Sequence, residues 1–142
     1  MNSPPFFNTN SIFLSDGGLE TWLIFNRGLS LEQFASFPLL DSQDGVQHLL
    51  EYYEEYVAVG KELGLDLMLS TATWRASTRW GKLLGLSQEK VNNLNKQAIE
   101  LVMQVKEANK EIVKILVDGQ IEPIEDDYRP EKVHSVQSQN KV

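Results

Sequence analysis

The chain has 142 residues, of which 42% are hydrophobic and 23% charged, and a formal net charge of −7 at pH 7. This length supports one hydrophobic core, and the negative charge argues against a nucleic acid or an anionic membrane surface as the partner. Cysteine is absent, which excludes disulfides, a thiol nucleophile and a cysteine-ligated metal within these residues. We see no signal peptide and no apolar run near the ~20 residues that span a bilayer, so we expect a soluble cytoplasmic protein.

The first elements are short. Residues 1–11 are polar, and we expect an extended arm. An apolar run at residues 12–15 predicts a strand, and residues 21–26 predict a helical turn or two that ends at Gly28.

Two long amphipathic helices are predicted at residues 45–63 and 88–110, because apolar residues recur at spacings of three and four. Between them, residues 65–70 predict a buried strand and residues 78–84 a short helix. Residues 112–117 are rich in β-branched side chains and predict a third strand. The apolar stripe of the first long helix comprises Val46, Leu49, Leu50, Tyr53, Tyr56, Val57, Gly60 and Leu63.

The alternation of strands and helices is typical of crossover units, which build a parallel sheet. We therefore expect an α/β fold with about three parallel strands. Sites in such folds lie at the carboxyl ends of the strands. Three polar clusters fall there, at residues 16–18, 71–75 and 118–120.

The first two clusters offer groups that suit an amino-acid ligand. Asp16 provides a carboxylate for an ammonium group, and Gly17 and Gly18 provide closely approachable amides. Thr71 and Thr73 provide hydroxyls. Trp74 provides an apolar wall. The alternative, that Asp16 caps a helix and Trp74 belongs to the core, stays open at this point.

Other polar residues carry less information. His48 lies off the helical stripe and is expected at the surface, and His134 has no partner in view. The acidic residues between 122 and 127 are expected to be a solvated charge run rather than a cation site.

Two motifs together resemble the N-terminal part of the homocysteine S-methyltransferase family. They are DGGLETWL at residues 16–23 and LSTATWRAS at residues 69–77. That family includes betaine- and S-methylmethionine-dependent enzymes and the homocysteine domain of methionine synthase. The resemblance covers roughly residues 12–130, which correspond to only the first part of the family's domain.

The resemblance implies a (β/α)8 TIM barrel, present here in part, that binds homocysteine and transfers a methyl group to its sulfur, giving methionine. By this resemblance Asp16 and Gly17 hold the amino-acid end of homocysteine, and Thr71 is a polar contact beside it. Trp74 and Arg75 line the side from which the methyl donor approaches.

The family ionises the homocysteine thiol on a zinc ion held by three cysteines, since a free thiol has a pKa near ~8.5. Those cysteines lie in the C-terminal half of the family's barrel, and this sequence contains none. A complete barrel takes about 200 residues or more. We therefore expect a truncated protein that is inactive alone, with a barrel segment at residues 12–130 and a polar tail at residues 131–142.

Two departures from the family fall near the end of the chain. Glu122 stands where the family tends to carry a small residue in a glycine-rich turn, and a positive φ there would be costly. Residues 134–137 resemble a helical segment of the family but follow Pro130 too soon. A deletion near residue 130 is one hypothesis.

Two other functions compete with the truncated methyltransferase. A non-catalytic half-barrel would bind a small amino-acid ligand, or it would bind a partner chain or associate with itself through the open edge of its sheet. A small α/β module unrelated to methyl transfer would bind some other ligand. In that case the ligand affinity would not depend on Asp16.

Overall fold

The computed structural model describes residues 12–121, which form three strands with helices between them. The predicted arm, the polar tail, His134 and the acidic run that starts at Glu122 lie outside these residues. The elements in chain order are β1 (Phe13–Ser15), α1 (Leu19–Arg27), two 3-10 turns (Glu32–Phe34 and Phe37–Asp41), α2 (Gln43–Leu63), β2 (Asp66–Ser70), α3 (Thr78–Leu83), α4 (Gln88–Asn109) and β3 (Ile115–Asp118).

The strands form one parallel sheet in the order β1-β2-β3, so neighbours in the chain are neighbours in the sheet. Leu67 of β2 pairs with Leu14 of β1 on one side and with Ile115 of β3 on the other. In a barrel the strands lie side by side in chain order, whereas in a doubly wound sheet the strand order reverses at a switch point. The expected fold, an open α/β sheet that forms part of a (β/α) barrel, is confirmed.

The two faces of the sheet differ in burial. Leu67, Leu69 and Ile115 point toward the helices and are buried in the main hydrophobic core. Met68 and Leu116 alternate with them along the strands and are only half-buried. The core therefore lies on the helical side, and the opposite face is partly open among the described residues.

Helix α2 begins after Ser42, whose hydroxyl accepts a hydrogen bond from the Gly45 amide at 3.0 Å, and it ends at Gly64 in the left-handed conformation. The predicted stripe is largely correct but misses Tyr52, which is 1% exposed. It wrongly includes Leu63, which is 61% exposed because the helix runs past the end of the core.

Helix α4 is capped by Ser87, whose hydroxyl accepts a hydrogen bond from the Lys90 amide, and it packs against the core. Strand β3 begins three residues later than expected, because the amides of Ile112 and Val113 still bond to the Asn109 carbonyl in a turn. Within residues 12–121, none of the helices combines the length and apolar character needed to cross a membrane.

Candidate functional site

The carboxyl ends of the three strands bring Asp16, Ser70 and Asp118 to one edge of the sheet. Asp16 follows β1 directly, and its amide continues the ladder by donating to the Met68 carbonyl at 3.1 Å. Ser70 and Asp118 are paired residues at the ends of β2 and β3. Polar side chains from three strands therefore meet, as the strand order predicts.

The Asp16 carboxylate is held by hydrogen bonds from within the protein. Its Oδ1 accepts from the Ser70 amide at 2.9 Å and from the Ser70 hydroxyl at 3.0 Å, and its Oδ2 accepts from the Tyr52 hydroxyl at 3.2 Å. It does not cap a helix, since Gly18 is the N-cap of α1 and no side chain accepts a capping hydrogen bond from the first turn of that helix. The helix-cap interpretation of Asp16 is wrong.

Burial raises the pKa of the Asp16 carboxyl above its ordinary value, and the negative charge of Asp118 raises it further. The hydrogen bonds from Ser70 and Tyr52 act in the opposite direction, because they stabilise the ionised form. A carboxylate that is partly desolvated and still able to ionise is a frequent feature of functional sites.

The two glycines after Asp16 shape the backbone beside it. The Gly17 amide donates to the Tyr56 hydroxyl at 3.3 Å, and the Gly17 carbonyl accepts from the same hydroxyl at 3.1 Å. Gly18 has a φ of 70°, a conformation in which a Cβ is costly. A Cβ there would also lie 2.9 Å from the Thr21 hydroxyl oxygen.

Helix α2 supplies three tyrosine hydroxyls to this edge. Besides Tyr52 and Tyr56, Tyr53 donates to the Ser70 carbonyl at 2.8 Å. Burial and the charge of Asp16 raise the pKa of Tyr52 and of Tyr53, so both remain protonated donors. Tyr53 and Tyr56 lie on the predicted core stripe, but their spacing along the helix did not predict that their hydroxyls form hydrogen bonds at the strand ends.

Glu20 is a second carboxylate at the site, and it was not among the predicted site residues. It lies in the first turn of α1, four residues after Asp16, and accepts a hydrogen bond from the buried Ser36 hydroxyl at 2.7 Å. Burial raises its pKa, and the positive charge of Arg75 opposes that rise. The sequence feature that could have identified Glu20 is its position within the DGGLETWL motif.

A small cavity of about 40 Å³ opens where these groups meet. It brings together four of the predicted site residues and does not include Thr73, Trp74 or Arg75. Its lining residues are Asp16, Gly17, Gly18, Leu19, Glu20, Tyr52, Ser70, Thr71 and Gln120.

Thr71 and Gln120 line both this cavity and a larger one of about 290 Å³, which Thr73 also lines. The hydroxyl oxygens of Thr71 and Thr73 are 2.9 Å apart and hydrogen-bonded. The Thr73 hydroxyl also reaches the Gln120 carbonyl at 3.5 Å.

Trp74 and Arg75 lie beside the site rather than in the smaller cavity. Trp74 is half-buried, and its indole N–H has no acceptor among the described residues. Arg75 is buried, with a φ of 59°, and its guanidinium stacks on the Trp80 ring at 4.0 Å and donates to the Gln33 carbonyl. Their predicted place on the methyl-donor side stays a prediction.

The residues present do not fit the zinc ion that the family resemblance implies. The whole sequence lacks cysteine. Within residues 12–121, no three or more His, Cys, Asp or Glu side chains are grouped so that they could hold a metal ion. The described part of the chain therefore offers a polar, acidic pocket and not a metal centre.

Of the comparisons with known proteins, the one with protein families agrees with the motifs. Searches of curated proteins and of solved structures found no match. The family model described as homocysteine S-methyltransferase matches residues 13–140, which is most of the sequence. The chain belongs to the homocysteine S-methyltransferase family.

Proposed function

We propose that the chain binds the amino-acid end of homocysteine at the carboxyl ends of β1 and β2, with Asp16 as the partner of the ligand ammonium. The observation that carries this proposal is the half-buried Asp16 carboxylate, which faces a cavity shared with Gly17, Gly18 and Thr71. In the family's reaction, methyl transfer to the thiol of homocysteine, these residues would hold the substrate.

The hydrogen bonding of Asp16 leaves room for a ligand. Each carboxylate oxygen can accept about two hydrogen bonds. Oδ1 already accepts two, both from Ser70, whereas Oδ2 accepts one, from Tyr52. Oδ2 therefore has an acceptor position left for an ammonium N–H.

The charges around the cavity favour a cationic group. Glu20 lines the same cavity as Asp16, and Asp118 lies close enough to raise the pKa of Asp16. An ammonium beside Asp16 would stabilise the ionised carboxylate. A cavity of about 40 Å³ accepts a group the size of a water or an ammonium, so the rest of the ligand would extend outward, past Thr71.

We also propose that these 142 residues bind homocysteine without turning it over. A homocysteine thiol is mostly protonated at neutral pH, because a free thiol has a pKa near ~8.5. The chain carries no cysteine with which to build the family's zinc site. Turnover would need those ligands from residues outside this sequence, either from a longer chain or from a partner.

Calorimetric titration with L-homocysteine under reducing conditions tests this function. The wild-type chain should bind with or without a chelator, and Asp16→Asn should weaken binding by about tenfold or more, because a charge-assisted hydrogen bond is lost. Asp66→Asn is the matched control, since Asp66 lies at the other end of β2. No binding by the wild type, or equal binding by Asp16→Asn, would contradict the proposal.

A second proposal, association with another chain, follows from the sheet. Parallel sheets are normally covered on both faces. Here Phe13, Met68 and Leu116 are half-buried on the face away from the core, and β1 and β3 each have one strand neighbour among the described residues. A partner that continues the sheet would cover these residues. A second copy is the simplest such partner.

A further inference from the structure

One hydroxyl group, that of Ser70, lies between two carboxylates at the strand ends. Its Oγ is 3.0 Å from Oδ1 of Asp16, and 3.1 and 3.2 Å from the two carboxylate oxygens of Asp118. A serine hydroxyl has one hydrogen to donate. The two carboxyl groups therefore compete for a single donor.

The backbone fixes the position of this hydroxyl. The Ser70 amide donates to Asp16, and the Ser70 carbonyl accepts from Tyr53. The next amide, that of Thr71, donates to the Asp118 carbonyl at 2.9 Å. Because the backbone around Ser70 is held by these bonds, rotation about χ1 and the orientation of the O–H bond are the freedoms that remain.

We propose that Ser70 and Asp118 are positioning residues that set how readily Asp16 ionises, and therefore the pH range over which the site accepts an ammonium group. The proposal rests on the proposed function for its consequence in binding. Ser70 stabilises the Asp16 carboxylate by donating to it. Asp118 opposes the ionisation of Asp16, both by its own charge and by drawing the same hydroxyl hydrogen away.

Several other charged or titratable groups lie around the cluster of Asp16 and its neighbours, and they remain unchanged in the variants that test the proposal. Helix α1 contributes one carboxylate and helix α2 the tyrosines, and a cation that acts on that carboxylate follows β2. These groups are Glu20, Tyr52, Tyr53, Tyr56 and Arg75.

The two positioning residues act on Asp16 with opposite signs. Replacing Ser70 by Ala removes a hydrogen bond that stabilises the carboxylate, so the pKa of Asp16 should rise. Replacing Asp118 by Asn removes a neighbouring negative charge, so the pKa of Asp16 should fall. A merely structural role would lower stability in both variants without moving the titration in opposite directions.

Carbon-13 NMR of the full chain, labelled at the aspartate carboxyl carbon, measures this titration without any ligand. The Asp16 signal is assigned by its loss in Asp16→Asn. Its midpoint should move to higher pH in Ser70→Ala and to lower pH in Asp118→Asn. Ser70→Thr keeps a hydroxyl and should restore the wild-type midpoint, and Asp66→Asn should leave it in place.

The outcome that overturns the proposal is an Asp16 midpoint that is unmoved, or moved in the same direction, in Ser70→Ala and Asp118→Asn. Calorimetry across the same pH range then tests the consequence for homocysteine, whose binding should extend to lower pH in Asp118→Asn than in wild type. If homocysteine does not bind at all, the proposed function fails. The NMR midpoints would still decide whether Ser70 and Asp118 control Asp16.

Discussion

Asp16 is a carboxylate whose burial is unfavourable for folding when it is ionised. Burial raises its pKa in the folded chain, so the folded state binds the proton more tightly than the unfolded state does. The contribution of Asp16 to the free energy of unfolding is therefore most favourable at low pH, and it is lost as the pH rises through the folded-state pKa. Residues that cost stability in this way are often kept for function.

The variant Asp16→Asn should therefore be at least as stable as the wild type at neutral pH, because an amide is less costly to bury than a carboxylate. The advantage should shrink as the pH falls and Asp16 of the wild type becomes protonated. Thermal unfolding of both proteins across a pH series measures the difference, with Asp66→Asn as the control. An Asp16→Asn chain that is clearly less stable at neutral pH would show that the charge is needed for folding.

Among the secondary-structure elements, helix α2 packs closely against the Leu39 backbone near its N-terminus. A Cβ on Gly45 would lie 2.1 Å from the Leu39 backbone oxygen. A Cβ on Gly60 would meet first the end of the Leu67 side chain, at 2.8 Å, and would reach a backbone atom, the Leu65 oxygen, only at 3.2 Å. A backbone atom cannot move aside as a leucine methyl can. The two glycines of this helix should therefore differ in their tolerance of alanine.

Gly45→Ala should destabilise the chain by about 3 kcal/mol, because the helix must shift to relieve the clash. Gly60→Ala should cost about 1 kcal/mol or less, since repacking of Leu67 is offset in part by the higher helix propensity of alanine. Urea unfolding measures both. Equal losses in the two variants would mean that α2 is not held tightly against Leu39.

The same helix shows what the sequence could and could not predict. Its length, its Ser42 cap and most of its buried face follow from local patterns. The contacts of its tyrosine hydroxyls depend instead on how α2 crosses the ends of the strands, and no spacing within the helix encodes that crossing. Glu20 and Ser70 belong to the two family motifs at residues 16–23 and 69–77, yet their hydrogen bonds form only when elements distant in the sequence pack together.

At the scale of the whole molecule, the parallel sheet was predictable because repeated alternation of strands and helices restricts the topology. The family was predictable from the two motifs at residues 16–23 and 69–77. Asp16, Gly17, Gly18 and Thr71 were predicted together and do line one cavity. The pairing of Ser70 with Asp118 was not predicted, since it depends on the register of β2 against β3.

The half-covered sheet leads to a prediction about assembly. Sedimentation velocity of the 142-residue chain should show concentration-dependent self-association, because Met68 and Leu116 are half-buried on the face away from the core. Met68→Lys should shift the chain toward monomer, whereas Met103→Lys, at an exposed position of α4, should not. A wild-type chain that stays monomeric and well folded at high concentration would contradict the association.

The central claim is that homocysteine binds where β1 and β2 end. Titration of the nitrogen-15-labelled chain with L-homocysteine, followed by amide chemical shifts, tests it most directly. We expect saturable shifts concentrated at Gly17, Gly18, Ser70 and Thr71, and their loss in Asp16→Asn. Saturable shifts elsewhere, for example around Asp66 at the other end of β2, or no shifts at all, would contradict it.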